Sequence, residues 1–208
     1  MRIELPKLYP ITDARLSGLS HAEQVAQLCE GGARLIQLRE KHLSPRDFAS
    51  AATEALRVAR AHGARLIIND RVDIALALHA DGVHLGQDDL PPQAARELLG
   101  EHALIGFSTH TVEQALTAAS QPVDYIAIGP IFNTSSKEKP DPVVGLEGVR
   151  RASSVVGRMP LVAIGGITLE TAPLVLSCGA DSIAVISLLL KEPAKIAETV
   201  RSVLSNLQ

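Results

Sequence analysis

Leu35-Ile36-Gln37-Leu38-Arg39-Glu40-Lys41 passes from an apolar pair into alternating polar residues. In an extended chain, residues two apart face the same way, which puts Gln37, Arg39 and the start of Lys41 on one side. A strand that opens this apolar is expected to be buried on both faces, as in a parallel sheet. A guanidinium at its end then needs an anionic partner or a site. An internal ion pair would satisfy Arg39 alone. Several other strand-like runs end in the same way, which favours a site.

Outward from this stretch, strand and helix signals alternate along the chain. Short apolar runs fall at Leu8–Thr12, Leu35–Leu38, Arg65–Asn69, Gly82–Leu85, Leu104–Ser108, Tyr125–Gly129, Leu161–Ile164 and Ser182–Ile186. Between them lie segments with helical spacing, among them His21–Glu30, Pro45–Ala61, Val72–Leu78 and Pro91–Leu99. Ser44 before Pro45, and Ser20 three residues ahead of Glu23, are helix-start signals. Eight strands, each followed by a helical segment, predict an α/β fold, a single compact (β/α)8 TIM barrel spanning residues 1–208. A doubly wound open sheet is the alternative, but eight repeats fill a barrel without remainder.

Composition narrows the function. With 46% hydrophobic residues in 208, the chain can bury a full core, and no linker or low-complexity tract divides it. A net charge of -3, two Tyr, three Phe and no Trp argue against a nucleic-acid surface. No apolar run approaches the roughly 20 residues of a membrane span. The N-terminus lacks the pattern of a signal peptide. Cys29 and Cys178 have no metal-ligand spacing and read as buried reduced thiols, so a cytoplasmic location is expected. Oligomeric state is left open, and a homo-oligomer is compatible with the sequence.

In a barrel of this kind, catalytic residues lie at the C-terminal strand ends, which converge on one mouth. Strand two ends in Gln37, Arg39 and Lys41, strand three in Asn69-Asp70-Arg71, and strand four runs to Gly86-Gln87-Asp88-Asp89. Asp70 and Asp89 follow adjacent strands, the arrangement a Mg2+ ion needs beside a diphosphate. Each could instead cap a helix, as could Asp88. Strand five ends in Ser108, a donor or a turn residue, with His110 in a helix-start loop. His84 reads as a core or network histidine. The long loop after strand six, from Gly129 through Thr134-Ser135-Ser136-Lys137 to Gly145, is a lid candidate or a surface loop. Strand seven ends in Gly165-Gly166, where the backbone can approach a ligand closely. Strand eight ends in Ile186-Ser187, and Leu188–Leu190 is expected to form a short phosphate-site helix.

Taken in order, Gln37 to Lys41, Ile68-Asn69-Asp70-Arg71, Asp81 to Asp89, Gly129-Pro130-Ile131-Phe132 with Thr134 to Lys137, and Ile164-Gly165-Gly166-Ile167 resemble the thiamine-phosphate synthase family over nearly the whole chain. That resemblance implies a (β/α)8 barrel that joins a pyrimidine diphosphate to a thiazole phosphate and releases pyrophosphate by a dissociative, Mg-assisted displacement. It implies that Gln37, Leu38, Arg39, Glu40, Lys41, Asn69, Ser108 and Lys137 hold the pyrimidine diphosphate. Arg39, Lys41, Lys137 and Ser108 would be catalytic, and Asp70 and Asp89 would bind Mg2+. Thr134, Ser135, Ser136, Gly166, Ile186 and Ser187 would hold the thiazole phosphate. Where the family has Thr-x-Thr-Lys, this chain has Thr134-Ser135-Ser136-Lys137, which keeps the hydroxyl and loses a methyl. Alternatives are a thiazole tautomerase, a similar barrel without the full metal and diphosphate set, and a non-catalytic phosphometabolite-binding barrel.

Overall fold

The structure, a computed structural model, describes residues 4–134 and 141–207. Eight parallel strands form its sheet: β1 (Leu8–Pro10), β2 (Leu35–Leu38), β3 (Arg65–Asn69), β4 (Gly82–Leu85), β5 (Leu104–Thr109), β6 (Tyr125–Ile128), β7 (Leu161–Ile164) and β8 (Ser182–Val185). Each pairs with its sequence neighbour, and β1 pairs with β8. Between β1 and β2 the ring closes on one bridge, Ile11 opposite Gln37, where Thr12 N donates to Gln37 O at 2.9 Å. The expected barrel is therefore present, and the open sheet is excluded by that closure. β1 ends at Pro10, two residues earlier than expected.

Helices α1 (Ala14–Ser17), α2 (His21–Glu30), α3 (Pro45–Ala61), α4 (Val72–Leu78), α5 (Pro92–Leu99), α6 (Val112–Ala118), α7 (Gly145–Val156), α8 (Ala172–Ser177), α9 (Ser187–Leu190) and α10 (Ile196–Asn206) surround the sheet. Local chemistry sets their starts. Ser20 accepts from Glu23 N at 3.3 Å while Ser20 N donates to the Glu23 carboxylate at 2.8 Å, a reciprocal cap for α2. Ser44 caps α3 one way, accepting from Asp47 N at 3.2 Å, ahead of Pro45. Along α3, Phe48, Ala52, Ala55, Leu56 and Ala59 are buried, a stripe at helical spacing that faces the strands. None of the helices in the described residues is long and apolar enough to cross a membrane. Cys29 and Cys178 are buried free thiols.

Strand parity divides the core in two. Leu8, Ile36, Leu38, Leu66, Ile68, Ile126 and Ile183 point outward into the shell between strands and helices. Tyr9, Leu35, Ile67, Tyr125, Ala127, Val162 and Ala184 point inward and fill the barrel. The two inward tyrosines need space, and Gly106 on β5 supplies it. A Cβ at Gly106 would stand 2.1 Å from Cζ of Tyr125.

At the opposite end from the mouth, three aspartates just ahead of β4, β6 and β8 each tie their strand to the one before it. Asp81 accepts from Leu66 N at 2.8 Å, Asp124 from Ile105 N at 2.7 Å and Asp181 from Leu161 N at 2.9 Å. Each carboxylate satisfies an amide at the start of the preceding strand, so these residues serve stability at the barrel floor.

Candidate active site

The C-terminal strand ends enclose a cavity of about 540 Å³. Gln37, Arg39 and Lys41 all line it, as the shared parity of their positions requires. Arg39 is held by Asp13, with Nη1 3.3 Å from Oδ2, so the ion pair and the site coexist at one residue. Asn69, Asp70, Asp89, Ser108, Thr134, Gly166, Ile186 and Ser187 line the same cavity.

Asp70 stands at φ 62, a left-handed conformation that turns its side chain away from the helix that follows. The cap position of α4 belongs to Arg71, which makes no capping bond, and Asp70 instead ion-pairs with Lys41 Nζ. Neither Asp88 nor Asp89 caps α5; Pro91 occupies that position, one residue before the helix starts. Asp89 is gripped by its own turn, accepting from Gly86 N at 2.6 Å. Burial raises the Asp70 pKa above its ordinary value of 3.8, the Lys41 ammonium lowers it, and the neighbouring Asp89 raises it again. The Asp70 and Asp89 carboxylates are hard-oxygen donors, with the Lys41 ammonium paired to Asp70 beside them. That set suits Mg2+, which takes one or two carboxylates and completes its shell with substrate phosphates and water. Among the described residues no cluster of three or more metal-ligating side chains occurs.

Two expected contacts fall outside the cavity. Leu38 is fully buried in the outer shell, because strand parity turns it away from its neighbours Gln37 and Arg39. Glu40 shares the parity of Leu38 and likewise turns away from the cavity. Its carboxylate folds back to accept from His42 N at 2.6 Å and Leu43 N at 3.2 Å, and lies 3.1 Å from His21 Nε2. Burial pushes the Glu40 pKa up, but the His42, His21 and Leu43 hydrogen bonds bring it below its ordinary value. His21 Nδ1 in turn meets Thr12 Oγ1 at 2.8 Å, and Thr12 Oγ1 accepts from Arg39 N at 3.3 Å. Glu40 thus braces the turn that carries Arg39 and Lys41. Ser135, Ser136 and Lys137 lie outside the described residues, as does the rest of the stretch 135–140 within the lid candidate.

Gly165 and Gly166 have φ 104 and 67, and a Cβ at Gly166 would lie 2.5 Å from Asn133 O. The glycine pair therefore meets the chain that follows β6 as closely as it meets the cavity. Beyond it, α9 forms the expected short helix, with Ser187 as its first residue.

The sequence reading misses the two tyrosines beneath the mouth, whereas His84 is the network histidine it expects. Tyr9, Tyr125 and His84 lie beneath the mouth, with His84 stacked on Tyr125 at 5.6 Å between ring centroids. Burial holds the His84 pKa down to about 4, so the imidazole is neutral at pH 7. Only two tyrosines occur in the chain, and both sit inside strand-like runs at inward positions; that scarcity was the available signal. His110, read as a helix-start residue, also lines the cavity and lies 2.7 Å from Gly129 O through Nδ1.

The chain is similar to known proteins in sequence and in fold. The sequence profile described as thiamine monophosphate synthase matches residues 8–189. A thiamine-phosphate synthase of Chlorobium phaeovibrioides is 49% identical over 188 residues, covering 90% of this chain and 88% of its own. One from Clostridium novyi is 46% identical over 186 residues, covering 89% and 91%. The solved thiamine phosphate pyrophosphorylase from Pyrococcus furiosus superposes with a TM-score of 0.85 at 38% identity, covering 97% of this chain and 96% of that one. With a profile match over residues 8–189 and relatives of this identity and coverage, the chain belongs to the thiamine monophosphate synthase family, a family of transferases.

Proposed function

We propose that the protein joins 4-amino-2-methyl-5-(diphosphooxymethyl)pyrimidine to 4-methyl-5-(2-phosphooxyethyl)thiazole, or its carboxylated form, giving thiamine phosphate and pyrophosphate. The observation that carries this reading is the Asp70–Lys41 ion pair beside Asp89, in the same cavity as Arg39 and the Gly165–Gly166 turn. A single-phosphate ligand has no use for two carboxylates facing two cations; a diphosphate brought in with a divalent ion does.

Within this reading, Gln37 and Asn69 offer carboxamides to the aminopyrimidine, and Arg39 and Lys41 place fixed positive charge against its diphosphate. As the C–O bond breaks dissociatively, negative charge grows on the leaving group, and cations already in position stabilise it where it appears. Mg2+ held by Asp70 and Asp89 would supply further charge neutralisation of the diphosphate. Ser108 donates a hydrogen bond at the mouth. Thr134, Gly166, Ile186 and Ser187 hold the thiazole phosphate so that the ring nitrogen faces the pyrimidine methylene carbon. That nitrogen is the nucleophile, so no side chain has to form a covalent bond. Lys137, Ser135 and Ser136 are assigned to the diphosphate and thiazole phosphate through the family resemblance.

The test is pyrophosphate release from the two substrates. Release that requires both substrates and Mg2+ supports the reading. Release without the thiazole phosphate, or none with both substrates and the metal present, refutes it.

A further inference from the structure

Five strands each send one side chain into a single hydrogen-bonded chain under the mouth. Gln37 Nε2 donates to Tyr9 Oη at 3.3 Å, and Tyr9 Oη lies 2.8 Å from Tyr125 Oη. Tyr125 Oη lies 3.1 Å from His84 Nδ1, and His84 Nε2 lies 2.8 Å from Ser108 Oγ. All but Ser108 are buried. We propose that this chain runs one way, from Gln37 to Ser108, and that Tyr9, Tyr125 and His84 are positioning residues that turn the Ser108 hydroxyl proton into the cavity.

The direction follows from counting protons. An amide nitrogen can only donate, so Tyr9 receives from Gln37, and Tyr125 Oη, 2.8 Å away in the buried floor, is the acceptor placed for the Tyr9 proton. Tyr125, already an acceptor, gives its proton to His84 Nδ1. A neutral imidazole that accepts at Nδ1 carries its proton on Nε2 and donates it to Ser108 Oγ. The Ser108 oxygen is then filled from below, and its own proton is free for a ligand above. Run backward, Ser108 would donate its proton to a hydrogen bond with His84 Nε2 and present only lone pairs to the cavity. That polarity repels an anion, so an anionic ligand in the mouth favours the forward direction. The inference rests on the proposed reaction only for what the Ser108 proton meets.

Two measurements test it. Long-range proton–nitrogen NMR of the 15N-histidine protein, with His84→Asn identifying the signal, reads the tautomer without substrate. A proton on Nε2 is expected; a proton on Nδ1, or on both nitrogens at pH 7, overturns the direction. In the pyrophosphate assay, Ser108→Ala should lower kcat by about 10²-fold, and Tyr125→Phe by about tenfold. The double variant should be no slower than Ser108→Ala, since Tyr125 acts through Ser108, whereas multiplying losses overturn the relay. KM for both substrates should move by less than about twofold in Tyr125→Phe. If that variant does not fold, Tyr9→Phe makes the same cut one step earlier. An Nε2 proton in a protein that releases no pyrophosphate upholds the chain and refutes the reaction; an Nδ1 proton in an active enzyme does the reverse.

Discussion

Acidifying the protein should cost it stability through His84 well before the carboxylates protonate. In the unfolded chain the imidazole titrates near its ordinary value of 6.5; in the fold, burial between Tyr125 and Ser108 brings that to about 4. Between those two values the unfolded state binds a proton that the native state refuses, so stability is full above pH 6.5 and falls toward pH 4. At about 1.36 kcal/mol per pH unit, the span comes to about 3 kcal/mol, a large share of the 5–15 kcal/mol that typically holds a domain folded. Urea unfolding at several pH values between 7 and 4, for the natural chain and for His84→Gln, measures it. The variant loses the buried titration and keeps every other one, so the difference between the two slopes belongs to His84. Parallel slopes would show that the ring is protonated or solvated in the native state, and the account of the cavity floor would be wrong.

Asp89→Ala should weaken Mg2+ activation while leaving urea stability nearly unchanged, and Asp70→Ala should do the same; unaltered metal titrations in both would remove the carboxylate pair. Because burial raises the Asp70 pKa, protons should compete with the metal above the usual aspartate range, so the Mg2+ activation constant should rise as pH falls, read from activity titrations at stepped pH. Ser187→Ala should chiefly raise KM for the thiazole phosphate, whereas Gly166→Ala should raise it and also destabilise the fold by about 1–2 kcal/mol or more, since its left-handed φ and the nearby Asn133 carbonyl leave no room for a Cβ. Equal weakening of both substrates would contradict that division of the mouth. Lys137→Ala should lower kcat at saturating substrates by a factor equivalent to about 2–4 kcal/mol, with Lys137→Arg restoring part of it; a near-normal kcat would leave the leaving group to Arg39 and Lys41.

What was legible in the sequence was what is local. The bounds of β2, α2 and α3 follow from apolar runs and from caps a few residues away, and they agree with the structure to the residue. Parity puts Gln37, Arg39 and Lys41 on one side and Glu40 on the other; Glu40 enters the expected set only through the motif that resembles the family. Leu38 was included because it sits inside a motif, although the same parity excludes it. The Gly165–Gly166 pair was read as room for a ligand, while half of its reason is contact with the chain after β6. Tyr9 and Tyr125 stand 116 positions apart. Only closure of the barrel brings them together, and no pattern within either strand announces the other.

That closure has a mechanical side. The ring is held by ladders of three or four paired residues at every joint but one, and between β1 and β2 it hangs on Ile11 opposite Gln37. Arg39 and Gln37 therefore ride on the staves that part most easily. If the barrel breathes, it breathes there, and the Thr12 amide should exchange with solvent sooner than the amides of β4 and β5 deep in the sheet. Whatever bridges Arg39 and Gln37 to the far wall of the mouth would act as a hoop, so a bound diphosphate should slow that exchange and tighten the whole ring.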